Sequence, residues 1–270
     1  MSKIAKALQK AQDERNDILE QVSPSSPSMS SDKEKTEEAT VRHNYRMTQI
    51  QEADDLHLER NRLLTSGSAQ YIRDSFNVLR ARILQITRTD GLNSIMVTSP
   101  RRKEGKTIVA TNLAMSLARD ARQTALLVDT NLRWPGVATT MGVCRGQEGG
   151  LEEYLIGHLE LPELLVNPGI DKLVVLPACR ATTESADLLS TPKMQQLVKE
   201  CKSRYPDRYV IFDCPHIIDM PDSLVFSTYV DGVILVVEEG KTSQEDIRAS
   251  LEMLSEANIL GVVLNKHFSQ

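Results

Sequence analysis

The chain has 270 residues, 40% of them hydrophobic and 26% charged, which suits one domain of roughly 100–200 residues with extensions. Its formal net charge of -5 lacks the positive excess of a phosphate-neutralising surface, so nucleic acid is excluded as the main partner. No apolar run nears the ~20 residues of a membrane span, the opening residues read as no signal sequence, and Cys144, Cys179, Cys201 and Cys214 form no Cys-x-x-Cys pair, so a reducing cytoplasm without a zinc site or disulfide framework is expected.

In chain order, Ile4, Leu8, Ala11 and Ile18 recur near helical spacing and predict a short amphipathic helix over 1–20. Residues 21–70 read as a flexible linker, because the stretch 22–40 is dense in Ser, Pro, Lys and Glu and cannot bury enough surface to offset its ordering entropy. From 71 to 270 the pattern is that of a folded domain. Ile72, Phe76, Leu79, Ile83 and Ile86 step by three and four, predicting a helix over 71–88 with one buried face. Short apolar runs at 94–97, 125–128, 173–176, 209–212, 232–237 and 259–264 then alternate with helical patterns. That alternation predicts an α/β fold, a mostly parallel sheet with helices on both faces.

Such sheets bind ligands where the strands end, so the residues after each run carry the functional signal. The first such loop reads Thr98-Ser99-Pro100-Arg101-Arg102-Lys103-Glu104-Gly105-Lys106-Thr107 and feeds a helix that starts at Ile108. Successive backbone N–H groups in such a turn wrap phosphate, aided by the positive end of the helix. Arg102, Lys103, Glu104, Gly105, Lys106, Thr107 and Ile108 are therefore the candidate cradle for ATP, with Lys106 on the β- and γ-phosphates and Thr107 on Mg²⁺. The pattern is incomplete, since Pro100 occupies the position of the first P-loop glycine.

The second strand ends in Asp129, followed by Asn131 and Arg133, and the run Tyr209-Val210-Ile211-Phe212 ends in Asp213. A single acid closing a buried strand is the form of a Walker B aspartate, so Asp213 is expected to order the metal together with Thr107 and Asp129. Asn265, at the end of the last run, is the candidate for adenine recognition because an amide can pair with the base edge; Asn at a strand end is equally a turn former.

Taken together these motifs resemble the bacterial tyrosine kinases of exopolysaccharide and capsule synthesis, a branch of the MinD/ParA-like P-loop ATPases. Glu104-Gly105-Lys106-Thr107 matches the family's first motif, and Asp129 and Arg133 match the Asp-x-Asp-x-Arg of its second, where Asn131 replaces the second aspartate. The strings 150–157 and 186–190 and the Pro221-Asp222 pair also look similar, and residues 1–8 resemble the opening of the exosortase-associated branch.

The resemblance implies transfer of the ATP γ-phosphoryl group to a tyrosine hydroxyl. Lys106, Asp129, Asn131 and Arg133 would carry the catalysis, Asp129 being the best base for the tyrosine proton. It also implies a membrane chain-length determinant protein as partner, recruitment to the inner face of the plasma membrane, and a homo-oligomer. Three departures bear on these expectations. Asn131 cannot accept a proton as a carboxylate does. The segment His267-Phe268-Ser269-Gln270 carries no tyrosine cluster for autophosphorylation. Asp74, Asn77 and Arg80 stand where the ring-forming helix has Glu-x-x-Arg-x-x-Arg, which removes one bidentate fork. A MinD/ParA-like ATPase switch, or a degenerate kinase without phosphotransfer to tyrosine, is the alternative reading.

Overall fold

The computed structural model describes residues 49–143, 149–205 and 207–267. The amphipathic helix expected over 1–20 and the first part of the expected linker, 21–48, lie outside them.

Eight strands form one sheet: β1 (Gln49–Ile50), β2 (Ser94–Thr98), β3 (Thr124–Asp129), β4 (Val166–Asn167), β5 (Leu173–Leu176), β6 (Arg208–Asp213), β7 (Gly232–Glu238) and β8 (Ile259–Asn265). Their order is β1-β4-β5-β3-β6-β2-β7-β8, and every neighbouring pair is parallel except β4 with β5. The six runs read from the sequence are the six long strands. β2, β3, β5 and β6 are buried along their whole length, which is why they read as continuous apolar runs rather than as alternation. The helices are α1 (Asp55–Arg60), α2 (Gln70–Thr87), α3 (Lys106–Ala118), α4 (Val137–Met141), α5 (Leu151–Ile156), α6 (Leu161–Leu164), α7 (Ser185–Leu189), α8 (Pro192–Ser203), α9 (Pro221–Ser227) and α10 (Gln244–Met253).

Two apolar layers sandwich the sheet. One gathers α3 with Ile95, Val97, Ala125, Leu127, Ile211 and Ile234; the other gathers α8 with Met96, Val128, Phe212, Phe226 and Leu235. α3 is buried from Val109 to Ala118. Its small residues Ala110, Ala114 and Ala118 let the helix lie close on the strands.

Two expectations need correction. Residues 49–70 do not behave as linker: β1 pairs with β4, α1 is capped by Asp54, and Leu58, Leu63 and Leu64 enter the core. Asn112, buried within α3, holds this segment at both ends of its amide, with Oδ1 accepting from the Leu64 N–H at 2.8 Å and Nδ2 donating to the Arg62 carbonyl at 3.0 Å. On α2, Ile86 is exposed, and the buried face is completed by Leu84 and Thr87 instead. The Thr87 hydroxyl lies 2.7 Å from that of the buried Tyr209, a polar contact that apolar periodicity does not register. Arg80, one of the three positions weighed for ring formation, donates to the Ser116 carbonyl of α3 at 2.7 Å, so its fork serves the chain's own packing.

The cysteine reading also changes. Cys201 and Cys214 are buried free thiols, whereas Cys179 is disulfide-bonded; Cys144 lies outside the described residues.

Candidate active site

The site lies where β2, β3 and β6 end. The loop 98–107 leaves β2 and turns into α3 through Gly105, whose φ of 93° is left-handed. Only glycine suits this position twice over: the backbone is strained for any L side chain, and a Cβ would meet the Asn265 Nδ2 at 2.1 Å. The loop is fixed from several directions. The Glu104 carboxylate, nearly fully buried, accepts from the Arg101 N–H at 2.7 Å and from the Thr242 hydroxyl. Asn265 Nδ2 donates to the Glu104 carbonyl at 2.8 Å, and Lys266 Nζ donates to the Lys103 carbonyl at 2.7 Å. With its carbonyls engaged from outside, the loop can turn its N–H groups inward, and the first N–H groups of α3 need no intrahelical acceptor.

The Thr107 hydroxyl donates to Asp213 Oδ2 at 2.7 Å, joining the first turn of α3 to the end of β6. Asp213 is fully buried, and its Oδ1 has no partner among the described residues. Asp129 faces Asp213 in register across β3 and β6. Its Oδ1 accepts from Asn131 N–H at 3.1 Å, and its Oδ2 accepts from Gly136 and Val137 at 2.9 and 3.0 Å. Burial, then the charge of Asp213, pushes the Asp129 carboxyl up to about 8 against the pull of these three N–H groups. Burial likewise raises Asp213, opposed by the Lys106 ammonium and the Thr107 hydrogen bond. Two buried acids this close call for cationic company, which Lys106 supplies in part.

Among the described residues no cluster of three or more His, Cys, Asp or Glu side chains could cage a metal. The pair of Thr107 and Asp213, with an oxygen of Asp213 left unpartnered, instead fits Mg²⁺, a hard ion that takes few protein ligands and completes its shell with phosphate and water.

The other residues singled out from sequence divide. The Arg133 Nε donates to both oxygens of the buried Asp222, at 3.2 and 3.1 Å, tying the turn after β3 to the start of α9. Asn131 Nδ2 donates to the Trp134 carbonyl at 2.8 Å, a bond that an aspartate could not make, and its buried Oδ1 has no partner among the described residues. Arg102 lays its guanidinium over the Trp134 ring, 3.9 Å from the centroid. The Ile108 side chain packs on the core and only its backbone belongs to the cradle. Three residues at the site escaped the sequence reading of chemistry: Trp134, His216 and, as the partner of Arg133, Asp222. The Trp134 and His216 rings lie 5.8 Å apart.

Fold and site together define an α/β protein with the MinD/ParA-like P-loop fold. The solved MinD of Pyrococcus horikoshii OT3, complexed with Mg-ADP, aligns with a TM-score of 0.55 over 65% of this chain and 70% of that one at 21% identity, a likeness of fold alone. No protein-family model matches the chain. It is 32% identical over 181 residues to tyrosine-protein kinase CpsD of Streptococcus pneumoniae serotype 4, covering 66% of this chain and 77% of the relative. It is 34% identical over 177 residues to the succinoglycan biosynthesis transport protein ExoP of Rhizobium meliloti, covering 64% of this chain but only 22% of that longer protein. The VpsO kinase domain superposes with a TM-score of 0.63 at 27% identity, over 74% of this chain and all of that domain. The chain belongs to the bacterial tyrosine-protein kinase family.

Proposed function

We propose that this protein is an ATP-dependent protein-tyrosine kinase that regulates the polymerisation or export of an extracellular polysaccharide. The observation that carries the nucleotide half of this reading is the 2.7 Å bond between Thr107 and Asp213 beneath a loop whose carbonyls are held outward. In-line phosphoryl transfer needs positioning and charge neutralisation more than covalent help. Lys106 would take the β- and γ-phosphate oxygens, the N–H groups from Arg102 to Ile108 the remaining ones, and Asn265 the base. Thr107 and Asp213, with Asp129 alongside, would hold Mg²⁺, which supplies neutralisation of the transferring group.

Asp129 is assigned the acceptor's proton. Burial holds the Asp129 carboxyl above the ordinary carboxylate range, which makes its carboxylate form a stronger base, and its Oδ1, which accepts one N–H, has capacity left. Arg133 and Asn131 shape the site through Asp222 and Trp134 rather than by acting on phosphate.

A membrane chain-length determinant protein is the proposed partner, and it would bring the domain to the inner face of the plasma membrane. No helix among the described residues is long and apolar enough to cross a membrane, so attachment through a partner is consistent with the chain.

One observation favours the second reading, an ATPase switch without transfer to tyrosine: both oxygens of Asp129 already accept backbone N–H groups. Purified protein incubated with ATP and Mg²⁺ decides between them. Intact-mass analysis and an anti-phosphotyrosine probe should show added phosphate on the chain, or on an added tyrosine substrate, and Lys106→Met should abolish it. Release of ADP alone, with and without the cytoplasmic tail of the partner fused to the chain, would leave only the switch.

A further inference from the structure

Beside the nucleotide cradle lies a second set of groups that phosphate chemistry does not use. Trp134, the single tryptophan of the chain, is 37% exposed although it sits between the end of β3 and α4. Its position is built rather than incidental. The Trp134 N–H donates to the Asn131 carbonyl at 3.1 Å, while Asn131 Nδ2 donates to the Trp134 carbonyl. The turn is therefore closed at both ends by one residue, and the change from a carboxylate to an amide at Asn131 is what supplies the second bond. The next residues pass to Gly136, where a Cβ would stand 3.3 Å from the Thr107 methyl, so the Trp134 turn abuts the metal-binding end of α3.

His216 arrives from β6 on the far side. It is only 6% exposed, and its Nδ1 is buried with no hydrogen-bond partner among the described residues. The segment that carries it is strapped to the phosphate loop, with Ile217 N–H donating to the Ser99 carbonyl at 2.9 Å and Ile218 N–H to that of Pro100 at 3.2 Å. A buried polar atom without a partner is costly, and it marks a place where a ligand group completes the set. Here that ligand must satisfy two demands at once. It must offer a flat surface to the indole, and a polar hydrogen or lone pair to the imidazole.

We infer that Trp134 and His216 form the acceptor subsite, in which the phenol ring of a substrate tyrosine packs against the part of the indole that the Arg102 guanidinium leaves exposed and its hydroxyl meets His216 Nδ1. This rests on the kinase reading above and names the residues that make it selective for tyrosine. A hydroxyl both donates and accepts, so it suits either tautomer of the imidazole. Serine or threonine would satisfy His216 but give the exposed part of the indole no aromatic partner, and phenylalanine would do the reverse. His216 is a specificity residue in this scheme and takes no proton; burial and the charges of Lys106 and Arg102 keep its imidazole neutral at physiological pH.

The lone tryptophan provides its own reporter. The 270-residue chain with Mg²⁺ and a non-hydrolysable ATP analogue is titrated with an acidic pentapeptide holding a central tyrosine, excited where tyrosine does not absorb. The counterparts with phenylalanine and with serine serve as the other arms. A saturable change with the tyrosine peptide is expected, with affinities at least about 3-fold weaker for the other two, the size of one aromatic or hydrogen-bond contact. His216→Asn should erase the preference for tyrosine over phenylalanine while leaving nucleotide affinity within about 3-fold. Trp134→Ala should raise the KM for the acceptor about 3- to 10-fold with the KM for ATP unchanged, and Trp134→Phe should restore most of it and guard against a folding defect. Phosphotransfer to tyrosine with no saturable signal and an unmoved KM would overturn the subsite and leave the kinase standing. A tyrosine-selective signal without any phosphotransfer would keep the subsite and sink the kinase, and loss of both would sink both.

Discussion

At the scale of single residues the site is a contest between burial and charge. Asp129 and Asp213 stand buried and facing each other, with Lys106 as the nearby cation. Removing that cation leaves two carboxyls that must keep a proton, so Lys106→Met should lower Mg·ATP affinity by about 100-fold or more, the scale of lost charge-assisted bonds to phosphate. His216 gives a pH signature. Its folded value of about 4 lies below the ordinary value near 6.5. Between these limits the unfolded chain binds a proton that the folded chain refuses, so stability is present at neutral pH and drains away as pH falls from about 6.5 towards 4. Denaturant unfolding at pH 7 and pH 5 should show this loss, at most about 2 kcal/mol by linkage, and His216→Asn should flatten it. An unchanged difference between the two pH values in the variant would assign the acid limb to other groups.

At the scale of elements, the segment 49–70 shows how one polar residue recruits what looks like linker. Its apolar anchors are few, Leu58 and the adjacent Leu63 and Leu64, with polar residues 59–62 between them, so no period announces them. What orders them is Asn112, 48 residues beyond Leu64 in sequence and buried in α3. Asn112→Ala would leave the buried Leu64 N–H unpaired and free the part-buried Arg62 carbonyl, and should cost about 1–3 kcal/mol, the scale of one buried unmet group. Leu63→Ala should cost a similar amount through the cavity it opens. Hydrogen exchange should then show the 58–64 backbone losing protection before the strands do; uniform loss throughout would mean that this segment is integral to the sheet's stability.

These elements also show what the sequence could and could not disclose. The six long strands were legible because strands buried on both faces are apolar throughout, and the acids Asp129 and Asp213 stood out because each ends such a run. β1 and β4 are two residues long, too short for any pattern. The cradle from Arg102 to Thr107 was legible as a contiguous string. Trp134, His216 and Asp222 were not, because their meaning lies in proximity: three segments meet only once β3, β6 and α9 are folded together. Arg133 was a catalytic candidate through the resemblance of the second motif, and only the position of Asp222 reveals the ion pair.

At the scale of the whole molecule the sheet order explains why these pieces converge. β2 lies between β6 and β7, and β6 lies between β2 and β3, so the ends of β2, β3 and β6 form one rim. β8 extends the sheet beyond β7, and its last residue Asn265, with Lys266 just after it, reaches back to the loop carbonyls of Glu104 and Lys103. The loop is thus gripped from the edge of the sheet as well as from its centre. Asn265→Ala should weaken Mg·ATP binding about 5- to 10-fold, as one lost loop anchor and a base contact, without the collapse expected of Lys106→Met.

Isothermal titration calorimetry of the 270-residue chain with ATP, in the presence and absence of Mg²⁺, tests the central claim most directly. One site whose affinity depends on Mg²⁺, with that dependence removed by Asp213→Asn and binding abolished by Lys106→Met, is the expected result. Binding that ignores both substitutions, or no uptake of ATP by the unaltered chain, would contradict it.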